Sequence, residues 1–251
     1  NLEIEYKDVL SDTPFKNFKI LKSGEWETAK KLLESGEFYI QDPSTSFAPS
    51  LLNPKFGEIV LDLCASPGGK SRFCADLIRE SANFDEEKSR SSTLVSVDIP
   101  GPRICNLREN ISKIDFLKTY VLEADLNSEK LAKKLESRGL PLKFDCVLLD
   151  APCSNTGVLR RRPDARYRLS EGDIAKSADF QKKLISKASE FVRPGGRLVY
   201  STCSIEPEEN EENASWFLRN FPEFKQVCGG TSLPDDFKDG SGSFLFERNI
   251  L

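Results

Sequence analysis

Two cysteines in this chain stand where a thiol can react. Cys153 follows Asp150-Ala151-Pro152 and precedes Ser154, and Cys203 lies within Ser201-Thr202-Cys203-Ser204. Each comes after an apolar run that reads as a buried strand, Cys146 to Leu149 before the first and Arg197 to Tyr200 before the second. Ligands bind at the carboxyl ends of strands in open α/β sheets, so both thiols and the Asp150 carboxylate can face one substrate. The thiolate is the reactive form. Arg160, Arg161, Arg162, Arg166 and Arg168, opposed within the segment by Asp164, favour a nearby thiolate and suit a polyanion such as nucleic acid. The chain contains no histidine, which excludes Ser-His-Asp triads, Cys-His dyads and histidine zinc sites. Seven cysteines, an odd number with no C-x-x-C pair, argue against a disulfide framework and against a structural metal. Cys74, Cys105, Cys146 and Cys228 read as small core residues.

A second constellation lies upstream. A strand at Ile59 to Leu63 runs into the tight loop Cys64-Ala65-Ser66-Pro67-Gly68-Gly69, and Lys70 opens a helix. Glycines there let a ligand approach the backbone while the helix amides point at it. Asp98 ends the next strand, where an acid accepts ribose hydroxyls, and Asp125 follows the third, placed to meet an adenine amino group. The implied cofactor is an adenosine compound, a nicotinamide dinucleotide or S-adenosylmethionine. The loop is not G-x-G-x-x-G, and a dehydrogenase leaves the two loop thiols unexplained. Thiolate, acid, adenosine cofactor and polyanion surface fit one reaction: a thiolate adds to carbon 6 of a cytosine, and carbon 5 then accepts a methyl group. The base must leave its stack to enter such a pocket, most easily in single-stranded or looped RNA.

The elements that must position these groups alternate. The chain has 251 residues and net charge −4, enough for one large α/β domain with an ample core. From Glu58 onward strands at 59–63, 94–97, 120–122, 146–149 and 197–200 alternate with helices at 70–80, 102–114, 128–137 and 170–192, which predicts a doubly wound, mostly parallel sheet. A helix from Pro207 to about Asn220 and two strands near 224–227 and 243–246 close the pattern with an antiparallel edge. Ahead of it, the spacing predicts a helix at 25–35, a short strand at Phe38-Tyr39-Ile40 and a helix at 47–52, with 85–92 a charged, exposed connection. Residues 1–40 read as the remnant of a small amino-terminal RNA-binding domain and 41–251 as the catalytic domain. No apolar run reaches the length of a membrane span and no signal-peptide pattern is present, so a soluble, cytoplasmic monomer is expected.

Three motifs carry a resemblance. Leu61-Asp62-Leu63-Cys64-Ala65-Ser66-Pro67-Gly68-Gly69-Lys70, Asp150-Ala151-Pro152-Cys153-Ser154, and Ser201-Thr202-Cys203-Ser204 followed by Glu206-Pro207-Glu208-Glu209-Asn210-Glu211 resemble the Nol/Nop/Sun family of RNA (cytosine-5) methyltransferases, closest to its bacterial Sun-type members that modify ribosomal RNA. The resemblance spans roughly residues 38–248 and includes Tyr39-Ile40-Gln41-Asp42. It implies a class I, Rossmann-like methyltransferase fold, with S-adenosylmethionine held by Cys64 to Lys70, Asp98, Asp125 and Asp150. It also implies that Cys203 is the nucleophile, that Cys153 assists product release, and that Asp150 orients the cytosine. Spacing alone does not separate the roles of the two thiols. The sequence departs from the family in carrying Asn155 where glycine is common, Arg162 where histidine precedes Pro163, and Ser71 for threonine. A non-catalytic ribosome-assembly factor on the same scaffold and a transfer RNA methyltransferase are the alternatives this reading leaves.

Overall fold

Both faces of the central strands are apolar, and both are covered. The computed structural model describes residues 9–15, 17–34 and 38–250, with Arg168 and Glu171 described by their backbone only. Strands β1 (Leu10–Asp12) and β2 (Lys19–Leu21) make a small antiparallel hairpin, followed by α1 (Trp26–Glu34). A short 3-10 turn at Pro43–Ser46 leads into α2 (Phe47–Leu52). The main sheet contains β3 (Ile59–Leu63), β4 (Thr93–Asp98), β5 (Lys118–Glu123), β6 (Phe144–Asp150), β7 (Val192–Thr202), β8 (Phe224–Ser232) and β9 (Ser241–Arg248), in the order β5-β4-β3-β6-β7-β9-β8. The first five are parallel, and β9 runs against its neighbours β7 and β8, so the closing hairpin forms the antiparallel edge the sequence predicts. Order reverses between β3 and β4 on one side and β6 and β7 on the other, which opens a crevice above β3 and β6.

Side chains one residue apart on a strand point to opposite faces. Leu61, Leu63, Val147, Leu149, Leu198 and Tyr200 therefore meet α6 (Lys130–Ser137), α8 (Glu171–Ser189, which follows the one-turn α7, Ala165–Arg168) and α9 (Glu211–Asn220). Val60, Leu94, Cys146, Leu148 and Val199 meet α2, α3 (Gly69–Ser81) and α5 (Arg103–Ser112). The helices supply matching stripes at helical spacing: Leu131 and Leu135 on α6, Ile104, Leu107 and Ile111 on α5, Cys74, Ala75 and Ile78 on α3. Phe217 of α9 is completely buried with its ring centroid 4.8, 5.1 and 4.9 Å from those of Phe221, Phe224 and Phe246. Burial of such a side chain contributes about 1.5–3 kcal/mol. The leading segment is docked on this body, Phe15 against Phe47 and Phe18 against Phe73.

Several expectations are corrected. Tyr39 and Ile40 lie in irregular chain rather than a strand. The stretch 85–92 contains a short helix, α4 (Glu86–Ser89), capped by the Asp85 side chain, and Ser89 and Ser92 are buried. Residues 192–202 form one strand through Pro194-Gly195-Gly196. The last helix begins at Glu211 because residues 207–210 make turns, which turn Glu209 inward. Cys105 and Cys228 are exposed. The first sits on the outer side of α5, off the Ile104-Leu107-Ile111 stripe, and the second lies on the sheet's edge strand. Among the described residues no helix is long and apolar enough to cross a membrane.

Candidate active site

A cavity of about 250 Å³ opens at the carboxyl ends of β3, β6 and β7. Its near wall is made by strand ends. After β3, Cys64 takes a left-handed conformation (φ 62°) and Gly68 another (φ 109°), so the chain turns back before α3 starts. A Cβ at Gly69 would come within 2.9 Å of Gln41 Oε1, so the loop touches the upstream segment directly. Asp98 fixes this loop through Oδ2, which accepts from Ser66 N at 2.7 Å, while Oδ1 accepts from its own neighbour Ile99 N at 2.7 Å. Of the expected cofactor residues, Ala65, Ser66, Pro67, Gly69, Lys70 and Asp150 line the cavity. Asp98 sits behind the loop, and Asp125 is exposed and accepts from Asn127 N at 2.9 Å, away from the cavity lining.

Lys70 Nζ lies 2.7 Å from Asp150 Oδ2. Burial pushes the ammonium down, but Asp150, Cys203 and Asp62 outweigh it and hold Lys70 above its ordinary value. It is a fixed positive charge. Asp62, wholly buried on β3, accepts from Ser71 Oγ through Oδ2, while Oδ1 has no partner among the described residues. Burial, with Asp150 and Asp98 nearby, pushes this carboxyl up to about 7.

The two sequence-flagged thiols meet. Cys153 Sγ is 3.0 Å from Cys203 Sγ, and Cys203 N donates to Cys153 Sγ at 3.2 Å. A hydrogen bond from Cys153 lowers the Cys203 thiol, Lys70 assists, and burial and Asp150 oppose. The same hydrogen bond, with burial, raises Cys153 well above its ordinary value. The shared hydrogen bond therefore favours ionisation at Cys203 over Cys153. Asn155 Oδ1 stands 3.1 Å from Cys203 Sγ, where a carbonyl oxygen can accept only from a neutral thiol. It holds the Cys203 proton in the neutral pair, and Cys153 becomes the donor once that proton leaves. Gly157 has no room for a side chain: a Cβ there would lie 2.3 Å from Gly240 O and 2.9 Å from Cys203 O. Gly157 N donates to Cys203 O at 3.0 Å and Gly240 N to Gly157 O at 2.9 Å, which pins three loops together.

The far wall joins Arg160 and Arg161, which the sequence assigns to a polyanion surface, to two acids it gives no role. Asp42 and Asp239, both buried, face Arg160 and Arg161. Arg160 Nε is 2.5 Å from Asp239 Oδ1, Arg161 Nε is 2.9 Å from Asp239 Oδ2, and Arg161 Nη2 bonds Asp42. Asp42 also accepts from Asp239 N at 2.9 Å and Ser44 N at 3.0 Å. Arg160 and Arg161 thus brace the cavity. Arg162, 3.3 Å from Asp164, and exposed Arg166 remain on the outer surface, and the side chain of Arg168 lies outside the described residues. In the sequence this wall shows only as two separate pieces, the Gln41-Asp42 element and the arginine run, because their pairing joins remote segments. Among the described residues no three His, Cys, Asp or Glu side chains are grouped to hold a metal ion.

Residues 49–245 match the family described as 16S rRNA methyltransferase RsmB/F. The ribosomal RNA small subunit methyltransferase B of Shewanella oneidensis is 35% identical over 187 residues, which cover 74% of this chain and 40% of that protein. The chain spans less than half the length of the relatives of this name that it matches. The crystal structure of PH0851 superposes with a TM-score of 0.79 at 28% identity, covering 99% of this chain and 57% of that one. The structure of NSun6 from Pyrococcus horikoshii with SFG gives 0.71 at 25%, covering 93% and 61%.

Proposed function

The chain belongs to the 16S rRNA methyltransferase RsmB/F family, and from that premise we propose that it methylates carbon 5 of a cytosine in ribosomal RNA of the small subunit through a covalent Cys203 adduct. The observation that carries this reading is the pair of sulfurs 3.0 Å apart, with the ionising one facing Lys70 and Asp150 in the cavity.

The residues present fit S-adenosylmethionine. Ser66 Oγ and Gln41 Oε1 are buried at the glycine loop without partners among the described residues, and a Cβ at Gly69 would press on Gln41 Oε1 at 2.9 Å. The similar Pyrococcus structure holds SFG, an S-adenosylmethionine analogue. Ala65 to Lys70 and Asp150 would hold the cofactor, which supplies a methyl group on a positively charged sulfur. Cys203, as thiolate, attacks carbon 6 of the flipped base and makes carbon 5 electron-rich. Lys70 and Asp150, a donor beside an acceptor, match the acceptor N3 and the exocyclic amine of cytosine. After carbon 5 has received its methyl group, its proton passes to solvent water; the C–H electrons re-form the ring double bond and expel the Cys203 sulfur as thiolate. The Cys153 thiol donates to the departing thiolate and so favours release. Arg162 and Arg166 contact phosphates, and the protein acts as a cytoplasmic monomer.

Labelled S-adenosylmethionine and unmodified small-subunit ribosomal RNA test the proposal. Wild type yields labelled 5-methylcytidine, Cys203→Ala yields none, and Cys153→Ala accumulates a covalent protein–RNA adduct. Equal label with Cys203→Ala would falsify the assignment.

A further inference from the structure

Glu209 is completely buried, and among the described residues no lysine or arginine pairs with it. A carboxylate so placed is costly unless neutral donors satisfy it. Here they do: Oε1 accepts from Ser154 N at 3.0 Å and from Gln181 Nε2 at 2.8 Å, and Oε2 accepts from Ser154 Oγ. Gln181 Nε2 also donates to the Pro152 carbonyl at 2.9 Å. Its own orientation is determined on the other side, where Oε1 accepts from Asn213 Nδ2 at 2.9 Å and lies 2.9 Å from Tyr200 Oη. Flipping the amide would set an oxygen against Pro152 O and Glu209 and a nitrogen against the Asn213 donor.

The target of this network is specific. Pro152 and Ser154 flank Cys153, and both are gripped from behind, at a carbonyl, an amide and a hydroxyl. Ser154 Oγ is also 3.1 Å from Ser204 Oγ, and Ser204 follows Cys203. Thr156 Oγ1 closes the group, 3.0 Å from Ser204 Oγ. The residues beside both thiols therefore share one buried set of bonds, anchored by a helix (Gln181) and by the turns at 207–210 (Glu209). A core that needed only stability would be served as well by apolar packing at these positions, without a desolvated carboxylate.

We infer that Glu209 and Gln181 are positioning residues that hold Cys153 against Cys203 for the release step. The inference rests on the covalent mechanism proposed above. Loss of the grip lets Cys153 drift, so Cys203 still adds to the base but leaves it slowly.

The test compares Glu209→Ala, Gln181→Met and the conservative Glu209→Gln with wild type and Cys153→Ala, using small-subunit ribosomal RNA. It measures the denaturant-resistant protein–RNA adduct, turnover, and the pH profile of Cys203 alkylation by iodoacetamide without RNA. Misplacement by a fraction of an ångström should slow release roughly ten- to a hundredfold. Glu209→Ala and Gln181→Met should therefore accumulate adduct as Cys153→Ala does, with the alkylation profile moved to higher pH. Glu209→Gln, which keeps an acceptor for Ser154 N and Gln181, should recover most of the turnover. Adduct formation and turnover falling together, in proportion to the folded fraction and with the alkylation profile unmoved, would overturn the inference. If Glu209→Ala does not fold, Gln181→Met carries the same two readouts. Failure of Cys153→Ala itself to accumulate adduct would instead strike the underlying mechanism, and the alkylation profile would still decide the positioning role.

Discussion

The two walls of the cavity are built on opposite plans. The near wall gathers Asp62, Lys70, Asp150 and Cys203, with Cys153 behind Cys203, from the ends of adjacent parallel strands and the loops that follow them. The far wall gathers Asp42, Arg160, Arg161 and Asp239 from segments up to 197 residues apart and joins them by ion pairs. On the near wall polar groups are left partly unmatched: Asp62 Oδ1 has no partner among the described residues, and the Cys203 thiol is lowered with Lys70 assisting. On the far wall each buried carboxylate is matched by two guanidinium groups. Unmatched groups are available for chemistry and matched ones give shape, so the first wall should react and the second should hold.

That contrast can be broken. The largest effect is expected for Asp150→Asn, which removes the Lys70 counter-charge and the base acceptor; methyl transfer should fall at least about a hundredfold with little change in Tm. Asp42→Asn should do the reverse. Losing charge-assisted bonds to two guanidinium groups costs about 1–3 kcal/mol, which lowers Tm by roughly 3–10 °C, while kcat falls less. A catalytic loss for Asp42→Asn as large as that for Asp150→Asn, at unchanged Tm, would erase the distinction.

The walls should also differ in the sign of their pH dependence. Asp62 is raised from its ordinary 3.8 to about 7, so between these values the folded protein holds a proton the unfolded chain has released, and stability falls as pH rises. Asp62→Asn should remove that decline and raise Tm at pH 8 by about 4 °C or more. Burial works against ionisation of Asp42, but the amides of Asp239 and Ser44 and the Arg161 charge carry it below its ordinary value. Its contribution is present above that ordinary value and lost on acidification below it. Thermal melts from pH 3 to pH 9 read both slopes. The smallest effect belongs to the outer surface: Arg162→Ala and Arg166→Ala should each reduce the slope of RNA affinity against salt by about 1. An unchanged slope would remove both from the RNA-binding face.

The near wall was legible because its parts are local. A strand, a glycine loop and a helix start are contiguous, and a strand ending in Asp-Ala-Pro-Cys announces its own geometry. The far wall was not, because the pairing of Asp42 with Arg161 and of Asp239 with Arg160 follows from how remote segments dock. The same limit explains Glu209. At a helix start an acid reads as a favourable first-turn charge, and only the turns at 207–210 show that it faces Ser154 and Gln181. Cys105 illustrates the converse error, since an apolar residue beside a core stripe is assigned inward until the helix phase is known.

The contact between Asp42 and Asp239 also sets an order in time. A nascent chain grows from its amino end at about 5–20 residues per second, so roughly 10–40 s separate the synthesis of these two residues. Through that interval β3, its glycine loop and α3 can already be paired and packed, but Arg160 and Arg161 lack one of their two carboxylates and β9 has no residues to add beside β7. No chain that stops short of Asp239 carries the completed cavity. A product interrupted before Asp239 would carry Cys153 and Cys203 without the wall that closes the cavity over them, and it is the arrival of β9 that completes the enclosure.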